Sequence, residues 1–538
     1  MTNAILHSPT SLFGSLLDDP LIHYRHPDTG KRTAVTLPEL FVAMTKDGVR
    51  DFPLLRPHQR HPWHAFLVQL AAIALHRADE AEPFTTGAQW RDALLALTPA
   101  DPDGAAWCLV SPVSRPAFMQ APEPSGSIGS WKNVCVAADE LDMLVTSKNH
   151  DLKASRMIES SPEDWVYALV SLQTQEGFLG AGNYGISRMN GGFASRCGVG
   201  VYPNGMWGKR WVRDLKALLN SRARKVVADG SNKTGLHALL WLSPWDGTSS
   251  LPFDKLEPWY IEICRRVRLV KEDCIKARLI GSKAPRVAAK DLNGVTGDPW
   301  MPVDIPQAKA LTIGARGFDY KLSVQLLLGD KYTKPIAQTW LASDDTDGVK
   351  LIAQGVARGQ GKTEGYHERR IPISRRVRQA LMTRQTDELA KLADERIEAI
   401  SEVRKMLWGA IAVLLANGAK DDSGNHKDGS DTVTKRANVF TQPFEAECDA
   451  EFFTELAQEI ESNDRISVRT RWLQKLATRA ERFLRAAFIV GPRNGHLRYR
   501  AQAAALSRLH GAMRGNKLPA LALALKSKQT EEETHELV

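Results

Sequence analysis

The run Gly359-Gln360-Gly361-Lys362-Thr363 follows a strand-like apolar segment at 350–354, and those residue types in that order can cradle phosphates. A phosphate-binding loop of this kind needs glycine at position 356, where the chain has Val356, and Gly355 and Gly359 fall on either side of it. No apolar strand ending in aspartate stands out downstream as a magnesium-site partner. An ATPase working through GQGKT is therefore the alternative reading, and a polar-tipped basic loop for nucleic acid is preferred. His150-Asp151 suggests acid–base chemistry, but adjacent side chains rarely converge on one point and no nucleophile lies nearby. The loop around them, with Lys148, Asn149, His150 and Lys153, reads at least as well as a contact to RNA or DNA. The six cysteines are scattered without a C-x-x-C or a nearby His pair, which argues against a zinc site or a disulfide framework and fits a reducing cytoplasm. No metal, no cofactor and no catalytic residue is expected.

The densest signal is the stretch 177–200, GFLGAGNYGISRMNGGFASRCGVG, with eight of the chain's 39 glycines. Glycine loses the most backbone entropy on folding, so this density implies left-handed conformations or close approach of another backbone. Tyr184, Arg188, Asn190 and Arg196 are interleaved with the glycines and offer a ring, cations and an amide to a phosphate backbone or a DNA groove. A long turn region between strands is the competing reading.

These residues need elements to hold them. Residues 11–45 predict two strands joined at Asp28-Thr29-Gly30 and then a short helix. Residues 64–77 are apolar on nearly all sides, as in a buried helix, with His64 and His76 decorating its ends. Residues 90–97 continue helical; residues 162–172 form a helix capped by Ser160 or Ser161, and residues 207–220 form a basic amphipathic one. Cations crowd 261–290, where Lys283 and Lys290 flank an exposed strand or hairpin tip; residues 322–328 and 350–353 look like strands. After Ser374 a helical period takes over, with helices expected over 378–415, 450–460, 467–490 and 496–513. The fold class expected is α+β: a large mixed α/β N-terminal domain (1–373), a C-terminal four-helix bundle (374–522) and a flexible tail (523–538).

Charge sharpens the partner class. The net charge is +9, but between Ile466 and Ala520 twelve Lys/Arg face one acid, so the excess is concentrated there. Arg469, Arg471, Arg482, Arg485, Arg498 and Arg500 would form a basic bundle face for a polyanion. No leader is indicated, and the longest apolar stretch, 65–75, is too short to span a bilayer, so no membrane partner is expected.

Taken in order, these segments resemble CasA, the large subunit of the type I-E CRISPR surveillance complex Cascade. RPAFMQ (115–120) is similar to that family's HPFMQ, and GF-x-G-x-G…NGG (177–192) to its glycine-rich loop. LLWLSPWDG is similar to its LFWQPAHIE, LNG-x-x-x-DPWMP to its VNGLWPHPHSP, and QGVARGQ…ERR to its GGYRNNQ…ERR. The resemblance covers most of 10–520 and implies a non-enzymatic subunit that recognises the protospacer-adjacent motif in double-stranded target DNA and helps open the duplex for guide pairing. It implies partnership with CRISPR guide RNA, other Cascade subunits and a recruited helicase-nuclease. The residues implied are Gly177, Phe178, Gly180 and Gly182 as a glycine loop in the minor groove and Lys283 or Lys290 as a lysine finger. Gln360, with Lys362, would be a wedge.

Overall fold

Thr36 accepts the Glu39 N–H (3.3 Å) while the Glu39 carboxylate takes the Thr36 N–H (2.9 Å), and this reciprocal cap starts helix α1 (Leu37–Thr45). The computed structural model describes residues 11–142, 159–193, 195–229, 236–359, 362–418 and 431–536. The chain divides into two units, one of residues 1–318 and 330–371, the other of residues 319–329 and 372–538.

The first unit is built around helix α2 (Arg60–Arg77), buried continuously from His61 to Leu75 because it has no polar face to turn to water. Helix α3 (Gly87–Ala96) follows, then α4 (Pro162–Gln175), capped by Ser161, and α5 (Trp207–Asp229). Helix α2 packs against α4, α5 and the strand Leu256–Ile261. His76 decorates the last turn as expected, but His64 does not. His64 is fully buried and its Nε2 is hydrogen-bonded to the Asp214 carboxylate of α5 at 2.8 Å, and burial leads the forces that lower the His64 pKa to about 4. His61 is equally buried, and only glycine fits at 198, since a Cβ there would meet the His61 ring at 2.1 Å.

Strands in this unit form small separate sheets of two or three strands, which makes the fold α+β. Two sheets matter for the site. One runs Lys362–Pro372, Lys350–Gly359, Gly198–Tyr202, with the last pair antiparallel and Gln354 opposite Gly198. The other runs Arg266–Lys271, Ile275–Ile280, Asn133–Cys135, antiparallel throughout.

The second unit is helical. Residues 322–328, expected as a strand, belong to α6 (Tyr320–Leu327), begun by an Asp319 cap. Then come α7 (Arg375–Thr383), α8 (Asp387–Leu415), α9 (Asp431–Glu461), α10 (Arg465–Ala486), α11 (Gly495–Arg514) and α12 (Pro519–Glu536). Helix α8 packs on α9, α10 and α11, so four long helices share a core that includes Leu407, Ile411, Phe452, Leu476 and Leu509. Two expectations need correction. Helix α9 starts at Asp431 rather than near 450 and runs through Pro443. The tail region from 523 continues α12, which packs on α10 through buried Leu521 and Ala524 instead of standing apart.

Candidate nucleic-acid interface

The glycine stretch begins where α4 ends. The Gln173 side chain caps the meeting point, accepting from the Cys264 and Arg265 N–H groups at 2.8 Å each. The Ile186 N–H donates to the Glu176 carbonyl (3.0 Å) and closes the base of an excursion. At its far end the Asn183 N–H reaches the Gly180 carbonyl and the Leu179 N–H reaches the Asn183 carbonyl, both at 2.9 Å, forming a tight turn. Gly180 and Gly182 take φ of +110° and +81°, which disfavours other residues there. A Cβ on Gly180 would meet nothing, whereas one on Gly185 would come within 2.7 Å of the Gly177 and Phe178 backbone. Gly185 closes the loop; Gly180 is displayed by it. Phe178 is half-buried between Tyr184 and Phe193.

A second segment lies against this turn. The Ser282 N–H donates to the Gly182 carbonyl (2.9 Å), the Gly182 and Gly281 backbones are in contact, and the Tyr184 hydroxyl donates to the Lys283 carbonyl (3.1 Å). The Lys283 and Ala284 N–H groups both donate to the Gly247 carbonyl, so the segment is held from two sides and Lys283 stays exposed. Lys290 opens the turn Lys290–Leu292, whose continuation at Gly294 abuts Met189 and Asn190, the other end of the stretch.

Arg265 ties the loop together from below. It is buried, donates to the Gly177 carbonyl (2.8 Å) and to the Tyr184 carbonyl, and lies 3.3 Å from the Glu176 carboxylate. Burial pushes the Glu176 carboxyl up to about 7 despite the opposing pull of Arg265 and Arg358. Arg358 sits on the strand Lys350–Gly359 that leads to the proposed wedge. The same strand is fastened to the end of the glycine stretch, with Ser195 Oγ donating to the Val356 carbonyl (3.0 Å) and accepting its N–H (2.8 Å). Three segments far apart in sequence (177–196, 281–284 and 356–359) are thus joined by backbone contacts. Arg265 and Arg358, two members of that junction, are not legible as such in the sequence, because their partners lie far along the chain.

The back half of the stretch is different. Arg188 and Arg196, expected among residues offered to a polyanion, are each 1 % exposed. Arg196 grips Asp298 bidentately (2.6 and 2.9 Å), and Arg188 lies 3.6 Å from both Asp298 and Glu262 with its guanidinium 4.1 Å from the Tyr260 ring. Burial alone would raise Asp298, but the two guanidiniums outweigh it and hold the carboxyl down at about 2. The cation-rich stretch 261–290 is sorted likewise. Arg268 and Arg286 are buried and spend their N–H groups on backbone carbonyls, those of Ser111, Arg115 and Gln120 for Arg268 and those of Leu240 and Ser243 for Arg286.

GQGKT does not form a phosphate loop. That geometry requires a helix after Gly-Lys-Thr, whereas Lys362 begins the strand Lys362–Pro372 of a hairpin. Gln360 lies outside the described residues, as do Lys148, Asn149, His150 and Lys153.

The basic face of the helical unit is also revised. Arg469 pairs with Glu395 and Glu459, Arg482 with Glu447 and Arg485 with Glu481. Lys475 and Arg479 likewise meet Glu451 and other acids of α9. Four of the twelve bases counted along the sequence are thus met by acids of other helices, and Arg485 by an acid of its own. Arg471, Arg498 and Arg500 are exposed, Arg498 5.2 Å from the ring of Tyr499. Among the described residues no cluster of His, Cys, Asp and Glu could hold a metal ion, and no helix is long and apolar enough to cross a membrane. All six cysteines are free thiols.

No family model and no curated relative matches the sequence. The fold does have solved counterparts. CasA of Thermus thermophilus superposes with a TM-score of 0.64 at 15 % identity, over 93 % of this chain and 99 % of that one. The CRISPR-associated protein Cse1 from Acidimicrobium ferrooxidans gives 0.64 at 16 %, over 96 % and 99 %. A chain of a CRISPR RNA-guided surveillance complex gives 0.54 at 12 %, over 89 % and 100 %. This chain has the CasA/Cse1 fold across nearly its full length.

Proposed function

We propose that this chain is the large subunit of a type I-E CRISPR surveillance complex and reads a short motif in double-stranded target DNA. It would act without catalysis, beside guide RNA and other subunits of the complex, help open the duplex, and dock the recruited helicase-nuclease. The observation that carries the reading is the junction of the displayed Gly180–Gly182 turn with Lys283 at its flank, on the same framework as the hairpin leading to Gln360. A turn whose tip carries only the Ala181 methyl between two glycines can approach a groove floor closely, and an exposed cation beside it adds attraction where phosphates converge. The minor groove presents few distinguishing groups, so such a reader tolerates several related motifs. Of the two lysines, Lys283 suits the finger because it flanks the turn, while Lys290 adjoins the opposite, anchored end.

The test uses the assembled complex in gel shifts on duplexes carrying or lacking the motif. Tighter binding to the motif, lost in Lys283→Ala and retained in Lys290→Ala, is the expected result. Equal affinity for both duplexes would remove the motif-reading role.

A further inference from the structure

Outside the glycine-loop junction the first unit contains a cavity of about 210 Å³ whose wall holds four arginines, Arg50, Arg60, Arg210 and Arg370. Among the described residues the one carboxylate in that wall is Asp51, and it is already bonded to Arg25 at 2.7 Å. Three separate elements supply three of the cations, and Arg50 lies on the segment between α1 and α2. Arg60 opens α2, Arg210 sits in the first turn of α5, and Arg370 stands on the strand Lys362–Pro372. Arg210 and Arg370 lie 5.4 and 5.0 Å from the ring of Tyr202, also in the wall.

The site is polar and incompletely satisfied. Arg210 is 6 % exposed, its Nε has no hydrogen-bond partner, and its nearest carboxylate, Asp214 at 3.9 Å, is held by His64 and Arg213. In the same wall the Trp207 Nε1 and the Gln354 Oε1 are buried without partners. Gln354 uses its Nε2 on Tyr366 and Glu368, so its carbonyl oxygen is left to accept. Arg370 gives its Nε to Glu368 (2.8 Å). Counting Asp51 and Glu368 against the four guanidiniums, the wall remains positive by two. Of the four only Arg210 is buried; Arg60 is half-buried, and Arg50 and Arg370 are exposed. Guanidiniums gathered in one wall repel unless an anion lies between them, and arginine forks match phosphate oxygens in geometry.

We propose that this cavity binds a phosphate ester carried on a sugar, as in a nucleotide. The guanidiniums take the phosphate oxygens, while the Trp207 N–H and the Gln354 carbonyl take an acceptor and a hydroxyl of the sugar. The volume falls below the roughly 300 Å³ at which pockets for drug-sized ligands begin, which suits one phosphorylated sugar rather than a longer segment. The ligand's source is either a free nucleotide or the phosphorylated end of a strand. None of the site's residues belongs to the glycine-loop junction, although Gln354 and Arg370 stand on the two strands that flank Gln360.

Calorimetry on the full chain with AMP, ribose 5-phosphate, inorganic phosphate and adenosine tests this. AMP and ribose 5-phosphate bind, adenosine does not, and inorganic phosphate binds more weakly than either. Arg60→Gln, at a half-buried position, weakens AMP at least tenfold with an unchanged melting temperature; Arg210→Met, which risks the fold, is read only if it melts normally. Competition of AMP with a 5′-phosphorylated octanucleotide assigns the site to a strand end, and its absence assigns it to free nucleotide; either supports the phosphate site. No heat from AMP at millimolar concentration, equal binding of adenosine, or full AMP affinity in Arg60→Gln would overturn it.

Discussion

The two halves of the glycine stretch carry four glycines each and meet opposite fates. The front half, to Ile186, lifts a turn away from the core, with Gly180 facing open space and Lys283 laid alongside. The back half sinks two arginines onto Asp298 and Glu262 and ties Ser195 to the strand Lys350–Gly359. A cation among glycines is therefore not by itself a phosphate contact. What separates display from anchor is whether a carboxylate from elsewhere in the chain lies beneath it.

The largest expected effect comes from breaking the anchor. Asp298→Asn leaves Arg188 and Arg196 buried without a full counter-charge and costs about 3–5 kcal/mol, read as a fall in denaturant midpoint. Because the Asp298 pKa is depressed from 3.8 to about 2, its contribution is fully present above the unfolded value and disappears as pH falls through about 2. Acid unfolding of wild type should therefore include a step that Asp298→Asn lacks.

Next is the glycine that closes the loop. Gly185→Ala forces a Cβ into backbone at 2.7 Å and should destabilise by about 1–3 kcal/mol, with hydrogen exchange rising first across the loop base. If Gly185→Ala melts like wild type, the division of the loop into closing and displayed glycines is wrong.

At the displayed end the pattern inverts. Lys283→Ala should leave stability within about 0.5 kcal/mol, as is usual for a surface change. It should weaken motif-dependent DNA binding roughly tenfold, or about 1.4 kcal/mol. Gly180→Val, where the φ of +110° adds strain but no atom stands in the way, should lose more in DNA binding than in melting temperature. Equal losses at Gly180 and Gly185 would erase the contrast between the halves.

A last contrast concerns the junction beneath both. Glu176 is raised from 4.5 to about 7 chiefly by burial, so its protonated form favours the folded state. That contribution is complete below about 4.5 and is lost as pH rises through about 7. Glu176→Gln should flatten the stability profile over that interval, measured by urea unfolding at several pH values.

Local features are legible in the sequence because they depend on neighbours in the chain. The all-apolar α2, the Ser161 cap of α4, the hairpin strands around Asp28-Thr29-Gly30 and the glycine density itself all follow from spacing and residue type. The segment 322–328 reads as a strand because a short apolar run has no decisive period, and packing against α9 favours the helix α6. The absence of glycine at 356 argues against GQGKT as a phosphate loop, and the hairpin around it agrees.

Charge is the least legible property. Twelve bases against one acid between 466 and 520 imply a bare positive face, yet Glu395, Glu447, Glu451 and Glu459 from α8 and α9 neutralise part of it. Electrostatic energy depends on distance in space, and a count along the chain omits every acid brought in by folding.

The sequence alone determined that residues 177–200 must fold into something only glycine can form, since backbone conformation is a property of each residue and its immediate neighbours. Which glycines close the loop, which face outward, and which lysine stands beside them were decided by tertiary structure. Those outcomes rest on the approach of Gly281 to Gly182 and of Asp298 to Arg196, about a hundred positions apart in each case, and no local pattern encodes such distances.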